Sequence, residues 1–132
     1  MNEQLRLEGR RGGKTKKLER VSLFRLITST HGYKSILVKY KAMKFYHSLS
    51  PERSLSVINH SPTGFNWGYY GSGPAQTALA ILLEFTEDEE LSVKLHQKFK
   101  EEVIAKIKEN DYTLESNVIR VFIKKEEKLW IA

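Results

Sequence analysis

Residues 64–85 read GFNWGYYGSGPAQTALAILLEF: three aromatic residues at every second position, a glycine-rich turn, then an almost wholly apolar run. Phe65, Trp67 and Tyr69 fall on one side of an extended chain, by the two-residue period of a strand. Gly68, Gly71 and Gly73 then interrupt regular structure. Pro74 suits the first position of a helix, with Ser72 or Gly73 as its N-cap. The run AQTALAILLEF is apolar around most of its circumference, which predicts a centrally buried helix over about 74–85. The aromatic alternation then reads as a strand packed on that helix.

Working outward, Thr86-Glu87-Asp88-Glu89 has the pattern of a capping box and opens a second helix. Leu91, Leu95, Phe99, Val103 and Ile107 recur every four residues and carry that helix over about 87–109. VIRVFI (118–123) reads as a last strand. Upstream, VSLFRLIT (21–28), SILVKYK (35–41), KFYHSLS (44–50) and RSLSVINHS (53–61) are β-branched, aromatic or alternating runs that read as strands, the middle two as a hairpin. The expected fold is α+β, a two-layer domain with a mostly antiparallel sheet packed against two helices. Residues 1–20 form a basic arm and 21–132 the single domain.

The bulk numbers narrow the function classes. A chain of 132 residues, 40% hydrophobic, is large enough to bury a core unaided. The absence of cysteine excludes a disulfide framework, thiolate zinc sites and a cysteine nucleophile. No apolar run is long enough to span a bilayer and the N-terminus lacks an apolar leader, so a cytoplasmic protein without membrane contact is expected. Lys and Glu far outnumber Asp, Asn and Gln, the direction seen in thermophile proteins.

The net charge of +6 is unevenly spread. Residues 1–50 hold twelve Lys and Arg against three acidic residues, and residues 51–132 hold ten against thirteen. A basic half favours a polyanionic partner. The expected phosphate contacts to DNA or RNA are Arg10, Arg11, Lys14, Lys16, Lys17 and Arg20.

A second reading places an anionic ligand at the free N–H groups of the GSGPAQ helix start. Ser72, Gly73 and Gln76 would face it, with His60, Trp67 and Tyr69 nearby. The glycine spacing fits neither a Walker A loop nor a dinucleotide fingerprint. No catalytic residue, metal-ligand set or cofactor is assigned. The acidic run Glu87 to Glu90 stands where a helix dipole favours negative charge. A third reading is a homodimer or other interaction protein that packs its aromatic loop on a partner.

The block NHSPTGFNWGYYGSGPAQTALAILL (59–83) resembles a small uncharacterised family, a domain of unknown function found in bacteria, archaea and their mobile elements. The likeness continues more loosely through LHQKFKEEVIAKI (95–107) and YTLES (112–116), so it spans about residues 50–120. Asn66, where an acidic residue is usual, and Tyr70, where a glycine is common, depart from the pattern. The resemblance implies no activity. It marks the opening block as the family's identifying feature.

Overall fold

The computed structural model describes residues 19–127. Their order is β1 (Val21–Thr28), β2 (Lys34–Tyr40), β3 (His47–Ser48), α1 (Glu52–Val57), α2 (Ser72–Thr86), α3 (Glu89–Glu102), a 3₁₀ turn (Ile104–Lys106), β4 (Asp111–Glu115) and α4 (Ser116–Glu126). The strands form one antiparallel sheet in the order β3-β2-β1-β4. The α+β reading therefore holds, with four α-helices among the described residues rather than two.

Strand alternation sets the two sheet faces. Phe24 pairs with Val38 on one side and Leu114 on the other, and Leu26 pairs with Ile36 and Tyr112. Apart from Tyr112, which is partly buried, these residues are buried and form the inner face. Leu23, Arg25 and Ile27, with Leu37 and Lys39, occupy the alternate positions and stay partly exposed. Helix α2 lies at the centre of the core, with Ala78, Ile81, Leu82 and Phe85 in the same cluster as the inner face. Helix α3 adds Leu91, Leu95 and Phe99, as its four-residue period requires.

Four expectations need correction. The segment 53–61 is not a strand, because helix α1 occupies Glu52–Val57. Its start was legible: Ser50 Oγ accepts from Glu52 N at 3.1 Å, and Pro51 and Glu52 are favoured at a helix start. VIRVFI is not a strand either, because α4 runs through it. Its buried residues, Ser116, Ile119, Phe122 and Ile123, follow the helical spacing and lay Phe122 on Phe99 with ring centroids 5.0 Å apart. Strand β4 lies just before it, in the polar run DYTLE, where Leu114 supplies the buried contact with β1. In the hairpin at 44–50 only His47 and Ser48 pair with β2. The aromatic segment 65–69 is an irregular loop: Phe65 and Trp67 are buried, whereas Tyr69 is 46% exposed.

The helix boundaries shift as well. Helix α2 opens at Ser72 with Gly71 as N-cap, which places Pro74 third in the first turn, where its missing N–H has no helical partner to lose. It runs on to Thr86, so the cap of α3 is Asp88, whose side chain accepts from Leu91 N at 3.0 Å. Helix α3 ends at Glu102 rather than near 109. Of the basic arm only Glu19 and Arg20 fall within the described residues, and Leu129, Trp130 and Ile131 lie outside them.

The helical reading of α4 separates two neighbours. Phe122→Ala should cost about 3–5 kcal/mol of stability, whereas Val121→Ala, at 58% exposure, should change it by about 0.5 kcal/mol or less. Urea denaturation of both variants checks this, since a strand at 118–123 would bury Val121 instead.

Candidate functional site

The block at 59–77 is held together by one side chain. Gln76 is fully buried in α2. Its Oε1 accepts from His60 N at 2.7 Å and Ser61 N at 3.0 Å. Its Nε2 donates to Ser54 Oγ at 2.9 Å and to the Ile58 carbonyl at 3.1 Å. All four polar contacts of the amide are internal, and they tie α1 and the loop after it to α2. Thr77 repeats the device one residue on: its Oγ1 accepts from Asn66 N at 3.0 Å and donates to Asn66 O at 2.7 Å. A polar pair inside an apolar helix satisfies a loop that would otherwise bury bare backbone groups.

The glycines serve the same packing. Gly68 has φ +89°, and a β-carbon there would lie 2.8 Å from the Ile107 carbonyl oxygen. A β-carbon on Gly73 would lie 2.6 Å from Asn66 Cβ and 2.9 Å from the Tyr69 hydroxyl. Tyr69 therefore lies against the start of α2. Trp67 donates from Nε1 to the Glu109 carbonyl at 3.3 Å, and the Lys34 ammonium sits 4.7 Å from the Trp67 ring centroid. Of the six residues proposed to hold an anion, Gln76, Trp67 and Gly73 are buried in the fold, His60 is partly buried, and Tyr69 and Ser72 are exposed.

His60 has a partner that sequence reading did not supply. Its Nε2 lies 2.9 Å from Nε2 of His96, a buried residue of α3. The Val93 carbonyl, 2.7 Å from His96 Nδ1, can only accept, so that nitrogen carries a hydrogen. Neutral His96 then presents a lone pair at Nε2, and His60 donates to it. Burial holds both imidazoles below the ordinary 6.5, and Lys100 acts in the same direction on each. Among the described residues no three His, Cys, Asp or Glu side chains converge on one point.

A cleft of about 260 Å³ opens elsewhere, between the β2–β3 region, α1 and α2, lined among others by Tyr40, Leu49, Arg53, Leu83 and Glu84. Glu84 is the one charged residue of α2. Its carboxylate accepts from the Tyr40 hydroxyl and, at 3.3 Å, from Arg20. Burial, then the Glu84 hydrogen bond, raises the Tyr40 phenol above its ordinary value. Arg20 Nε also lies 2.9 Å from a Glu87 carboxylate oxygen as an ion pair, out of line for a hydrogen bond. The Arg20 guanidinium is thus engaged within the fold, while Arg10, Arg11, Lys14, Lys16 and Lys17 lie outside the described residues.

A further group of exposed aromatic residues stands outside the family block's aromatic run. The loop KAMKFY (41–46), between β2 and β3, is exposed at every position, with Phe45 at 77%. Its conformation is nonetheless held. Met43 N donates to Tyr40 O at 3.1 Å, and the Lys39 ammonium donates to Tyr40 O at 2.8 Å and to Met43 O. Lys41 N reaches Arg20 O at 3.0 Å, and Arg25 stacks over Tyr46 at 5.6 Å.

Residues 31–125 match a family of unknown function, DUF6166, and the chain belongs to that family. The match extends beyond the span of about 50–120 inferred from the motif, taking in β2 and most of α4. No curated protein and no solved structure matches the chain.

Two substitutions test the site's chemistry. Gln76→Leu leaves the His60 and Ser61 N–H groups and the Ile58 carbonyl without their partner and removes one of the two bonds of the Ser54 hydroxyl, so denaturation should show a loss of about 3 kcal/mol or more. Ser72→Ala, at the exposed helix start, should stay within about 0.5 kcal/mol. The histidine pair sets a pH dependence. Histidines whose folded pKa lies below the unfolded value contribute stability that is complete above about 6.5 and lost as pH falls below it. The urea midpoint should drop between about pH 7.5 and about pH 5.5, and His96→Phe should flatten that drop.

Proposed function

We propose that this member of a family of unknown function binds nucleic acid through its basic N-terminal half, mainly by phosphate contacts. The observation that carries the reading is how the fold distributes charge. Residues 19–50, which include β1, β2 and β3, hold six basic residues and one acidic; residues 51–127 hold nine basic and thirteen acidic. Strands β1 and β2, which carry Arg25, Lys34 and Lys39, are neighbours in the sheet. Lys41 and Lys44 are exposed, and neither enters an ion pair among the described residues. Arg10, Arg11, Lys14, Lys16 and Lys17 add five cations upstream on the same chain.

Such an interface displaces counterions from the phosphate backbone, so affinity falls steeply with salt. The reading assigns Arg20 a smaller part than its neighbours, because Glu84 and Glu87 already hold it. The anionic-ligand reading has less support, since Gln76 spends every polar contact inside the fold.

Fluorescence anisotropy with labelled single-stranded and duplex oligonucleotides tests the proposal. Raising salt from about 50 to about 200 mM should weaken binding at least about tenfold. Replacing Lys41 and Lys44 together by Gln should shallow the log–log salt slope by about 1–2. Undetectable or salt-independent binding to every oligonucleotide would sink the reading.

A further inference from the structure

We infer that the KAMKFY loop is a stacking element for single-stranded nucleic acid, with a base on Phe45 and phosphates on Lys41 and Lys44. This rests on the nucleic-acid reading above and goes on to name the form of nucleic acid and the residue that selects it.

Three observations meet at this loop. The first is composition in place: Met43, Phe45 and Tyr46 are 49%, 77% and 42% exposed, and two exposed lysines are interleaved with them. Isolated exposed apolar residues are ordinary. Three within four positions, interleaved with two cations that form no ion pair among the described residues, make a surface that offers ring faces and positive charge together.

The second is that the loop is held in shape. The Lys39 ammonium bridges the Tyr40 and Met43 carbonyls, closing the turn from inside, and Lys41 N is tied to Arg20 O. Phe45 is thus displayed by an ordered backbone, which lowers the entropy lost when a base settles on it. Arg25, itself 2.5 Å from Asp111, lies over the Tyr46 ring and fixes the neighbouring aromatic.

The third is that most aromatic residues of the family block are engaged in packing, with Tyr70, at 64% exposure, the exception. Phe65 and Trp67 are buried, and Tyr69 packs against Gly71 and Gly73.

The chemistry selects the occupant. Base stacking on an aromatic side chain tolerates any sequence but needs an unstacked base, which a single strand offers and an intact duplex does not. A protein partner fits less well, because the centres of protein interfaces are depleted in lysine. An anionic bilayer presents negative charge too, and the experiment separates it.

The experiment compares a labelled oligothymidine, a duplex of equal length and phosphatidylserine vesicles, using the full chain, Phe45→Ala and Phe45→Trp. Phe45 is exposed, so neither variant disturbs the core. Phe45→Ala should weaken single-strand binding about tenfold with an unchanged salt slope and leave duplex binding alone. Phe45→Trp should restore it, with indole fluorescence quenched as the oligothymidine is added. Single-strand and duplex binding that are equal and indifferent to Phe45→Ala would overturn the stacking loop and leave the nucleic-acid reading standing. No binding to either oligonucleotide would overturn both. Vesicle binding lost in Phe45→Ala, without oligonucleotide binding, would assign the loop to a membrane surface and overturn both.

Discussion

The buried carboxamide of Gln76 is the constraint on which the middle of this protein depends. Helix α2 is apolar on nearly every side and sits at the centre of the core. The chain that approaches it, from Ser54 to Asn66, includes buried and half-buried loop backbone whose N–H and C=O groups need partners. Gln76 supplies two acceptor and two donor contacts at one point, and Thr77 supplies one of each at the next. An apolar residue at 76 of similar volume would fill the space, leave two N–H groups and a carbonyl unpaired, and leave the Ser54 hydroxyl with its bond to Pro51 O alone. Here specificity rather than bulk burial decides the residue type.

This clamp explains why the block from Asn59 to Thr77 is built as it is. Gly68 brings the chain close to the 3₁₀ turn, and Gly71 and Gly73 accept the Tyr69 ring. His60, placed by the hydrogen bond from its own backbone to Gln76, meets His96 and so links the block to α3. Proton occupancy at that contact couples loop and helix, because a pair sharing one Nε2 hydrogen cannot take a hydrogen on each nitrogen without losing the bond.

The surface is organised on a different principle. The strands β1 and β2 present an apolar inner face to the helices and a mixed outer face carrying Arg25, Lys39 and three partly exposed aliphatic residues. Charge segregates by sequence half, and the fold joins the halves through ion pairs, Arg25 with Asp111 and Arg20 with Glu84 and Glu87. The cleft beside Tyr40 and Glu84 lies at the seam between the two halves, where Arg20 from the basic side meets Glu84 and Glu87 from the acidic side.

What the residue order determined by itself is the α+β class, the central buried helix and its sharp start, the period of α3 and the uneven charge. Each follows from local physics: apolar periodicity, glycine and proline at a helix entry, and net charge read along the chain. What only the tertiary structure decided is which neighbour each ambiguous segment meets. VIRVFI has strand composition, yet it is a helix because Ile119, Phe122 and Ile123 together cover Phe99 and the sheet, while the polar DYTLE reaches β1 and becomes the strand. Trp67 and Phe45 are comparable residues in one-dimensional reading, and burial separates them, at 5% and 77% exposure. The His60–His96 contact joins residues 36 positions apart, and no local pattern encodes a contact made only when α3 folds back on α2.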